Sequence, residues 1–430
     1  MKAVKVSDDL DTVTVQTGAA AGEVVYEVVS KSNHTRNVPV GQKPTVGMAG
    51  LTLGGGWGFA SRQDGLLCDQ LISVRMVLPG GEIVEATATN ENSEIFWASC
   101  GGGGGNVGIA TEFTMKTIKT PERVTRVHLL ANQTVENISF YQKLSMGLSD
   151  KITLNLEVTN NLPLDGGTST DIGVPSSLRE VWLKLFPPLD EPGKFYIELV
   201  GIYFGDKEEF LAEIEALDVD NKSPIPLKSF QDGVKEMTMA DAQLELMGWQ
   251  NNGLLEDLLY AYPEEHTYYN YVSLFLYDWL DEQGIQTLID AATWNTDASS
   301  LVYEFQALGG GKNKSAVARV GIEDTAFSHR NAKFGLLMKS NAREPLVAGS
   351  LYGRMQEQYT KLLLSQGTKD RPPPVYVNMI DLRLLEPLES YYGIYDKNGA
   401  VNGGGVTTDR LTAIAGTTNP NGTLLTYQPL

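Results

Sequence analysis

Two glycine-rich runs are the segments best suited to bind a ligand through their backbone. The first, residues 45–58, reads TVGMAGLTLGGGWG and holds six glycines, and the second has five in succession, Gly101–Gly105. Glycine in regular structure costs about 0.5–1 kcal/mol relative to alanine, so such clusters predict a backbone that bends sharply or approaches another group closely. Peptide N–H groups without side chains around them suit a cofactor's phosphates and carbonyl-rich ring. Tight turns are the alternative explanation for either run alone.

Neither run matches a standard nucleotide-binding motif. A dinucleotide fingerprint places G-x-G-x-x-G between a strand and a helix, with an acidic residue about 20 positions later, and a P-loop ends in a lysine and a hydroxyl residue. The only cysteines are Cys68 and Cys100, and no Cys/His spacing typical of metal sites is present. The sequence therefore predicts no metal site and no disulfide scaffold. Both cysteines are expected to be buried thiols, because their neighbours are apolar residues or glycine.

The composition limits the classes of partner. The chain has 430 residues, of which 42% are hydrophobic, so it can bury a sizeable core in two domains or lobes. Lys and Arg total 34 against 53 Asp and Glu, which gives a formal net charge of −19. This balance predicts neither nucleic acid nor an anionic membrane as partner. The sequence also shows no signal-peptide h-region and no apolar run of about 18 residues.

The elements that would position the glycine runs fall into three predicted regions. Residues 1–120 combine short β-type runs with one helical stretch, residues 19–33, and form an α+β lobe. Residues 121–371 alternate longer strands with amphipathic helices, the pattern of a sheet covered by helices. The proline run Pro372–Pro374 is a rigid connection into the third region, residues 372–430.

Several collinear stretches resemble one protein family. Residues 41–113, which contain both glycine runs, look like the flavin-binding half of the berberine bridge enzyme-like oxidases, in the vanillyl-alcohol oxidase and p-cresol methylhydroxylase superfamily. The similarity continues through residues 307–338, through YVNMID at 376–381 and through residues 409–430. The resemblance implies a two-lobed FAD-binding fold of the p-cresol methylhydroxylase type, with an antiparallel substrate sheet above the isoalloxazine. It also implies oxidation of a small organic molecule, as in secondary metabolism, with molecular oxygen as the electron acceptor.

The resemblance also implies which residues contact the flavin. These residues lie in three segments: Thr45, Val46, Gly47, Gly54, Gly55, Gly56 and Gly58 along the ring and the ribityl-phosphate side; Gly105, Asn106, Gly108 and Ile109 along the other edge; and Tyr376 and Asn378 from the C-terminal region. The two glycine runs are therefore expected to face one another across a cleft. Tyr376 is the best candidate for a catalytic base, which requires a lowered pKa of its phenol.

The departures from the family pattern bear on how FAD is held. Lys43 in GQKPTVG stands where many members have the cysteine that bonds the flavin, and the family's R-x-G-G-H-S loop has no counterpart in the sequence. Leu51 and Met379 replace a histidine and a tyrosine of the family pattern. We therefore predict noncovalent FAD and a fold that lacks the first α/β subdomain. Lys43 either offers a cation to the phosphate or to flavin N1, or is a solvated surface lysine.

Two functions follow from these features. One is an FAD-dependent oxidase that removes a hydride from a C–H bond next to an alcohol, amine or phenol. The alternative is a redox-inactive relative, with FAD kept as scaffold or lost, that catalyses a cyclisation, isomerisation or dehydration in the same pocket. For His329 a structural hydrogen bond is the favoured interpretation. For the aromatic run Tyr268, Tyr269 and Tyr271, next to His266, core packing is favoured.

Overall fold

The structure is a computed structural model of the chain. The described residues are 1–159, 196–218, 223–246, 254–259, 268–292, 299–310, 315–342, 344–365, 372–379, 387–393, 406–422 and 424.

The N-terminal lobe is built on a five-stranded antiparallel sheet in the order β1-β2-β6-β4-β5. A separate short pair joins β3 to β7. The strands are β1 (Val4–Val6), β2 (Thr12–Gln16), β3 (Arg36–Asn37), β4 (Leu71–Val77), β5 (Ile83–Thr87), β6 (Ile109–Lys116) and β7 (Ile118–Lys119). The helices are α1 (Ala21–Lys31), α2 (Met48–Leu53), α3 (Ser61–Asp64) and α4 (Ser93–Ala98). Helix α1 is the predicted one, and its valines at positions 24, 25, 28 and 29 are buried against the core.

The second lobe is built on a seven-stranded antiparallel sheet in the order β11-β8-β10-β9-β13-β14-β12. Its strands are β8 (Val124–Asn132), β9 (Ile152–Thr159), β10 (Tyr196–Tyr203), β11 (Val234–Met237), β12 (Tyr268–Leu276), β13 (Ser299–Ala307) and β14 (Phe334–Ala342). Side chains alternate between the two faces of each strand. One face is apolar and forms a core with the helices, as the sequence predicts, and the other face is largely polar.

Further helices lie on both faces of this sheet and in the C-terminal region, most of them on the apolar face. They are α5 (Val135–Gly147), α6 (Lys207–Leu217), α7 (Leu227–Gly233), α8 (Met239–Leu246), α9 (Glu282–Ala292), α10 (Ala316–Arg319), α11 (Pro345–Ser365), α12 (Pro387–Tyr392) and α13 (Val406–Thr418). Helices α6 and α9 are the two that the amphipathic pattern predicts. Among the helices that the structure describes, none is both long enough and apolar enough to span a bilayer.

The buried side chain of Arg62 on α3 connects the two lobes. Its guanidinium donates to the carbonyl oxygens of Ser145 and Ile152, both at 2.8 Å, and of Leu148 at 3.2 Å. These three carbonyls belong to the end of α5 and the start of β9. Burial lowers the pKa of Arg62 to about 10, so the guanidinium stays charged at neutral pH.

The two cysteines are bonded to each other, which corrects the prediction of free buried thiols. Cys68 and Cys100 form a disulfide with a Cα–Cα distance of 5.0 Å, and both side chains are buried. The thiol prediction was wrong because 32 positions separate the cysteines in sequence, and only the fold brings them together. Asp69 lies beside this disulfide, and Arg330 binds its carboxylate through two bonds of 2.8 and 2.7 Å.

Candidate functional site

The two glycine runs lie directly against one another. The carbonyl oxygen of Leu53 accepts hydrogen bonds from the N–H groups of Gly101 at 2.9 Å and Gly103 at 3.0 Å. Phe327 fills the space next to both runs: a Cβ at Gly55 would lie 2.8 Å from its ring, and one at Gly101 would lie 2.4 Å from its backbone nitrogen. The runs therefore face each other as predicted, but through backbone contact at this point rather than across a cleft.

The chain's own packing explains most of the predicted cofactor glycines. A Cβ would lie 2.2 Å from Asn378 Nδ2 at Gly54, 2.9 Å from Leu67 at Gly56, and 2.1 Å from the Val40 carbonyl oxygen at Gly58. Gly55 and Gly56 also have φ angles of +111° and +76°, which disfavour any side chain. At Gly108 a Cβ would lie 2.6 Å from Met76 Sδ. These glycines are required whether or not a ligand is present.

One part of the first run is open to solvent. At Gly47 and at Gly50, no heavy atom lies within 4 Å of the position a Cβ would take. Thr45, Val46 and Gly47 are exposed as well. Asn378 borders this stretch, and its Nδ2 donates to the Gly50 carbonyl oxygen at 2.8 Å. Gly47, Gly50 and Asn378 therefore border open space, whereas the interior glycines do not.

The second run is held by the C-terminal region. Asn106 Nδ2 donates to the Gly102 carbonyl oxygen at 2.9 Å, and the hydroxyl of Tyr392 on α12 donates to the same oxygen at 3.0 Å. Gly105 has a φ angle of +83°, in the region that favours glycine. Ile109 opens β6 with 54% of its surface exposed. Asn106 is thus a structural anchor of the loop, and Ile109 lies at its solvent side.

Tyr376 lies between the lobes but does not meet the condition for a base. Its ring packs on Trp57 with 4.0 Å between centroids, and its backbone N–H donates to Ser273 Oγ on β12 at 2.9 Å. The phenol oxygen accepts hydrogen bonds from Asn378 Nδ2 at 3.0 Å and from the Gly56 N–H. Burial nevertheless raises the pKa of Tyr376 above its usual value of 10. The phenol is neutral near pH 7, when the base role needs a lowered pKa.

Sequence reasoning missed a row of three glutamates on the polar face of the second sheet. The strand register places Glu198 of β10 opposite Glu157 of β9, and Glu157 opposite Glu304 of β13. The row continues from Glu304 to Leu337 and Ser273. Since Leu337 belongs to the core of the N-terminal lobe and Ser273 binds the Tyr376 N–H, this face looks toward the glycine runs. We call Glu157, Glu198 and Glu304 the acid row.

Glu198 and Glu304, the outer members of the acid row, each contact a basic side chain. His128 Nε2 lies 2.5 Å from Glu198 Oε1, and Lys339 Nζ lies 2.5 Å from Glu304 Oε1. At the centre, burial and the charges of Glu304 and Glu198 raise the pKa of Glu157 well above its ordinary value, against the opposite effects of Lys339 and Lys43. Lys43 lies in the N-terminal lobe, which we also call the glycine-rich lobe because it holds both glycine runs. Its side chain is half-buried and acts electrostatically on Glu157.

The strands themselves contain the signal for the acid row. In residues 152–159, ITLNLEVT, polar side chains alternate with Leu154, Leu156 and Val158, and Glu198 and Glu304 also interrupt apolar strands. A glutamate in the middle of an apolar strand is rarely buried without a partner. That the three glutamates are neighbours depends on the strand order, which no short-range pattern contains.

His329 has the structural role that the sequence favours. Its Nδ1 lies 2.9 Å from the Tyr277 hydroxyl, its Nε2 lies 3.0 Å from the Tyr391 carbonyl oxygen, and its ring stacks on Phe275. The carbonyl accepts the Nε2 proton, so Nδ1 accepts from the tyrosine. Burial lowers the pKa of His329 to about 3, which leaves the imidazole neutral.

The tyrosines of β12 correct another prediction. Tyr268, Tyr269 and Tyr271 are 50%, 36% and 38% exposed, so they do not pack in the core. The reason is that β12 is an edge strand of its sheet. Tyr269 and Tyr271 stack with 6.2 Å between ring centroids, and Tyr271 pairs across the strands with Lys339. This pair borders the acid row, and the neighbouring His266 lies outside the described residues.

Comparisons with known proteins agree with this fold. Residues 1–87 match the family model of an FAD binding domain. The chain is 26% identical over 395 residues to berberine bridge enzyme-like D-1 of Nicotiana tabacum. This match covers 89% of this chain and 62% of that protein. It is 27% identical over 335 residues to a glucooligosaccharide oxidase of Sarocladium strictum, covering 75% of this chain and 56% of the relative. The chain thus spans about three fifths of the length of these curated relatives.

Solved structures give the same result for the fold. BBE-like 28 from Arabidopsis thaliana superposes with a TM-score of 0.78 at 19% identity, over 100% of this chain and 80% of that one. Physcomitrella patens BBE-like 1 gives a TM-score of 0.76 at 21% identity, over 99% and 79% of the two chains. The resemblance to berberine bridge enzyme-like FAD-linked oxidoreductases is confirmed, as is FAD as the cofactor of the matched domain. The missing first subdomain and the mode of FAD attachment stay predictions.

Proposed function

We propose that this chain oxidises a small organic molecule with noncovalently bound FAD. It is similar to the berberine bridge enzyme-like FAD-linked oxidoreductases in sequence and in fold. The observation that carries this proposal is the position of the acid row, which faces the glycine-rich lobe and Tyr376. Carboxylates in that position can orient and deprotonate an alcohol, amine or phenol. Molecular oxygen is the proposed electron acceptor.

The residues proposed to hold FAD are those of the open stretch. The backbone of Thr45 to Gly47 and of Gly50, with the exposed amide of Asn378, borders a space that the protein leaves free. Lys43 precedes this stretch and offers a positive charge to a phosphate or to an anionic ring. Bound there, FAD would supply a two-electron oxidant that takes a hydride from the substrate.

Two buried aromatic side chains have separate proposed roles near that space. Tyr376, which accepts two hydrogen bonds and stays neutral, keeps its own O–H proton for a bond to the substrate. Trp57 packs on Tyr376 and on Phe275 of the substrate sheet. It closes the junction of the lobes to water, which strengthens the electrostatic interactions inside.

The redox-inactive alternative has one observation in its favour. The interior glycines pack against Asn378, Phe327 and Leu67, so this part of the lobe is closed without a cofactor. A carboxyl group with a raised pKa, such as that of Glu157, also suits the proton transfers of an isomerisation or dehydration. In this alternative FAD is a scaffold or is lost.

A variant of Gly47 tests the proposed FAD space, and oxygen consumption separates the two functions. No heavy atom lies within 4 Å of the position a Cβ would take at Gly47, so Gly47→Val should fold normally but place a side chain in the proposed FAD space. Wild-type protein should show flavin absorption bands, and added FAD should raise its melting temperature, whereas Gly47→Val should lose both effects. Gly349→Val, whose Cβ position is also open, is the matched control. Wild-type protein that ignores FAD and converts substrates without consuming oxygen would favour the alternative.

A further inference from the structure

We infer that Glu157 is the group that accepts the substrate's proton, and that Glu198 and Glu304 on the neighbouring strands set the pH at which it does so. This inference rests on the proposed function and names a residue for one step of it. It is based on the strand register, on burial and on the partners of the three carboxylates.

The register makes the three glutamates direct neighbours. In an antiparallel sheet, residues that are directly opposite have Cβ atoms about 4.5–5.5 Å apart. Glu157 is opposite Glu198 on one side and opposite Glu304 on the other. Like charges in such pairs destabilise a sheet, so the arrangement works against folding stability. Ionisable groups arranged at such a cost are candidates for function.

Burial distinguishes the central glutamate from the outer two. Glu198 and Glu304 are only 7% and 4% exposed, and each is bonded to its own partner, His128 or Lys339. Glu157 is half-buried and therefore the most exposed residue of the three, so in the proposed reaction it is the member that a substrate entering from the N-terminal lobe contacts. A general base must lie within hydrogen-bond reach of the proton that it takes, which favours the most exposed of the three glutamates.

The proposed step balances in atoms and electrons. The O–H or N–H bond of the substrate breaks, and its proton forms an O–H bond with a Glu157 carboxylate oxygen. The electron pair of the broken bond becomes the second bond of the C=O or C=N group. With FAD bound as the oxidant of the proposed function, the adjacent C–H bond would break at the same time, and its hydrogen would leave with both electrons to the flavin.

Five charged or ionisable groups set the proton affinity of Glu157. Glu198 of β10 and Glu304 of β13 raise its pKa by repulsion, and Lys339 of β14 and Lys43 of the glycine-rich lobe lower it. His128 of β8 acts through its contact with Glu198. Glu157 becomes the required carboxylate only above its raised pKa, so the reaction rate should increase with pH in that range.

The first test is a pH profile of kcat/KM with oxygen as acceptor, on whichever of benzyl alcohol, benzylamine or cellobiose is oxidised. In wild type, kcat/KM should rise with pH on the acidic side of the profile, which we call the acid limb. Glu157→Gln should lose about 100-fold or more in kcat/KM and should lose that limb, and Glu157→Asp should keep the limb at a lower rate. Glu198→Gln should move the limb to lower pH, because a like charge is removed. Glu208→Gln, at an exposed site on α6, should match wild type.

Two results would overturn the assignment: a Glu157→Gln variant that keeps the acid limb, or a Glu198→Gln variant whose limb does not move. If none of the three compounds is oxidised, infrared difference spectra recorded during a pH titration decide separately. Wild type should contain a protonated carboxyl that titrates above the ordinary glutamate range and that Glu157→Gln lacks. If both proteins show the same band, the role of Glu157 is refuted. If Glu157→Gln lacks the band but wild type oxidises none of the three compounds, only the proposed reaction is refuted.

Discussion

At Tyr376, burial and hydrogen bonding act in opposite directions on the pKa of the phenol. The Gly56 N–H and the Asn378 amide both donate to the phenol oxygen and favour the anion, but burial outweighs them and raises the pKa. At Glu157, burial and like charges act in the same direction. A base that works near neutral pH needs a pKa between those of an ordinary glutamate and an ordinary tyrosine, and of these two groups it is Glu157 that is shifted toward that range.

Glu157→Gln should change how stability depends on pH. The pKa of Glu157 is higher in the folded state than in the unfolded state. Its contribution to the free energy of unfolding is therefore complete below the unfolded pKa of about 4.3 and is lost as the pH rises through the folded pKa. Glutamine removes two like-charge pairs, worth about 0.2–1 kcal/mol each. Urea unfolding should therefore show the variant to be more stable than wild type at about pH 8, with little difference at about pH 4. A constant difference across this range would contradict the raised pKa.

Lys43 leads to a second prediction at the residue scale, that the flavin is not covalently attached. An amine at this position cannot form the thioether that a cysteine would form. Acid precipitation of the FAD-loaded protein should give a colourless pellet and a yellow supernatant. Flavin that stays attached to a tryptic peptide would contradict both this prediction and the alignment of Lys43 with the family's cysteine.

At the scale of elements, the sequence predicts what is local and misses what depends on strand order. Helices α1, α6 and α9 were predicted from their 3.6-residue periodicity, and the antiparallel substrate sheet from the resemblance. The acid row was missed because Glu157, Glu198 and Glu304 become neighbours only when β9, β10 and β13 pair. The two glycine runs face one another, as predicted, but they do so in direct contact. Much of their glycine content reflects packing against Phe327 and Asn378 rather than against a ligand.

The disulfide gives a prediction at the same scale, because it ties the segment before β4 to the segment after α4. Closing a loop of 32 residues stabilises a protein by about 3–4 kcal/mol in the chain-entropy model. Wild type should lose roughly this amount in urea unfolding when dithiothreitol is added. The Cys68→Ala, Cys100→Ala double variant is the control and should be insensitive to the reductant. Equal sensitivity of both proteins would show that the reductant acts elsewhere.

At the scale of the whole molecule, the two lobes meet at a contact that is polar as well as apolar. Trp57 reaches Phe275, and the phenol of Tyr376 binds the first lobe while its backbone binds the second. Arg62 also joins the lobes, because it donates to carbonyls at the end of α5 and the start of β9. The acid row and the open stretch at Gly47 keep their relative positions only if these contacts hold.

Arg62→Ala should therefore loosen the junction of the lobes. The variant removes three hydrogen bonds from a charged donor, each worth about 1.5–3 kcal/mol, and leaves buried carbonyl oxygens without their partner. Arg62→Lys should restore only part of the loss, because an ammonium group cannot reproduce the planar donor geometry of the guanidinium. Urea unfolding followed by tryptophan fluorescence should show a lower midpoint for Arg62→Ala, with a second transition as the lobes separate. Arg75→Ala, at an exposed position in β4, should unfold as wild type does. If Arg62→Ala also matched wild type, the apolar contacts around Trp57 would suffice to hold the lobes together, and the guanidinium would have no part in placing the acid row opposite the glycine runs.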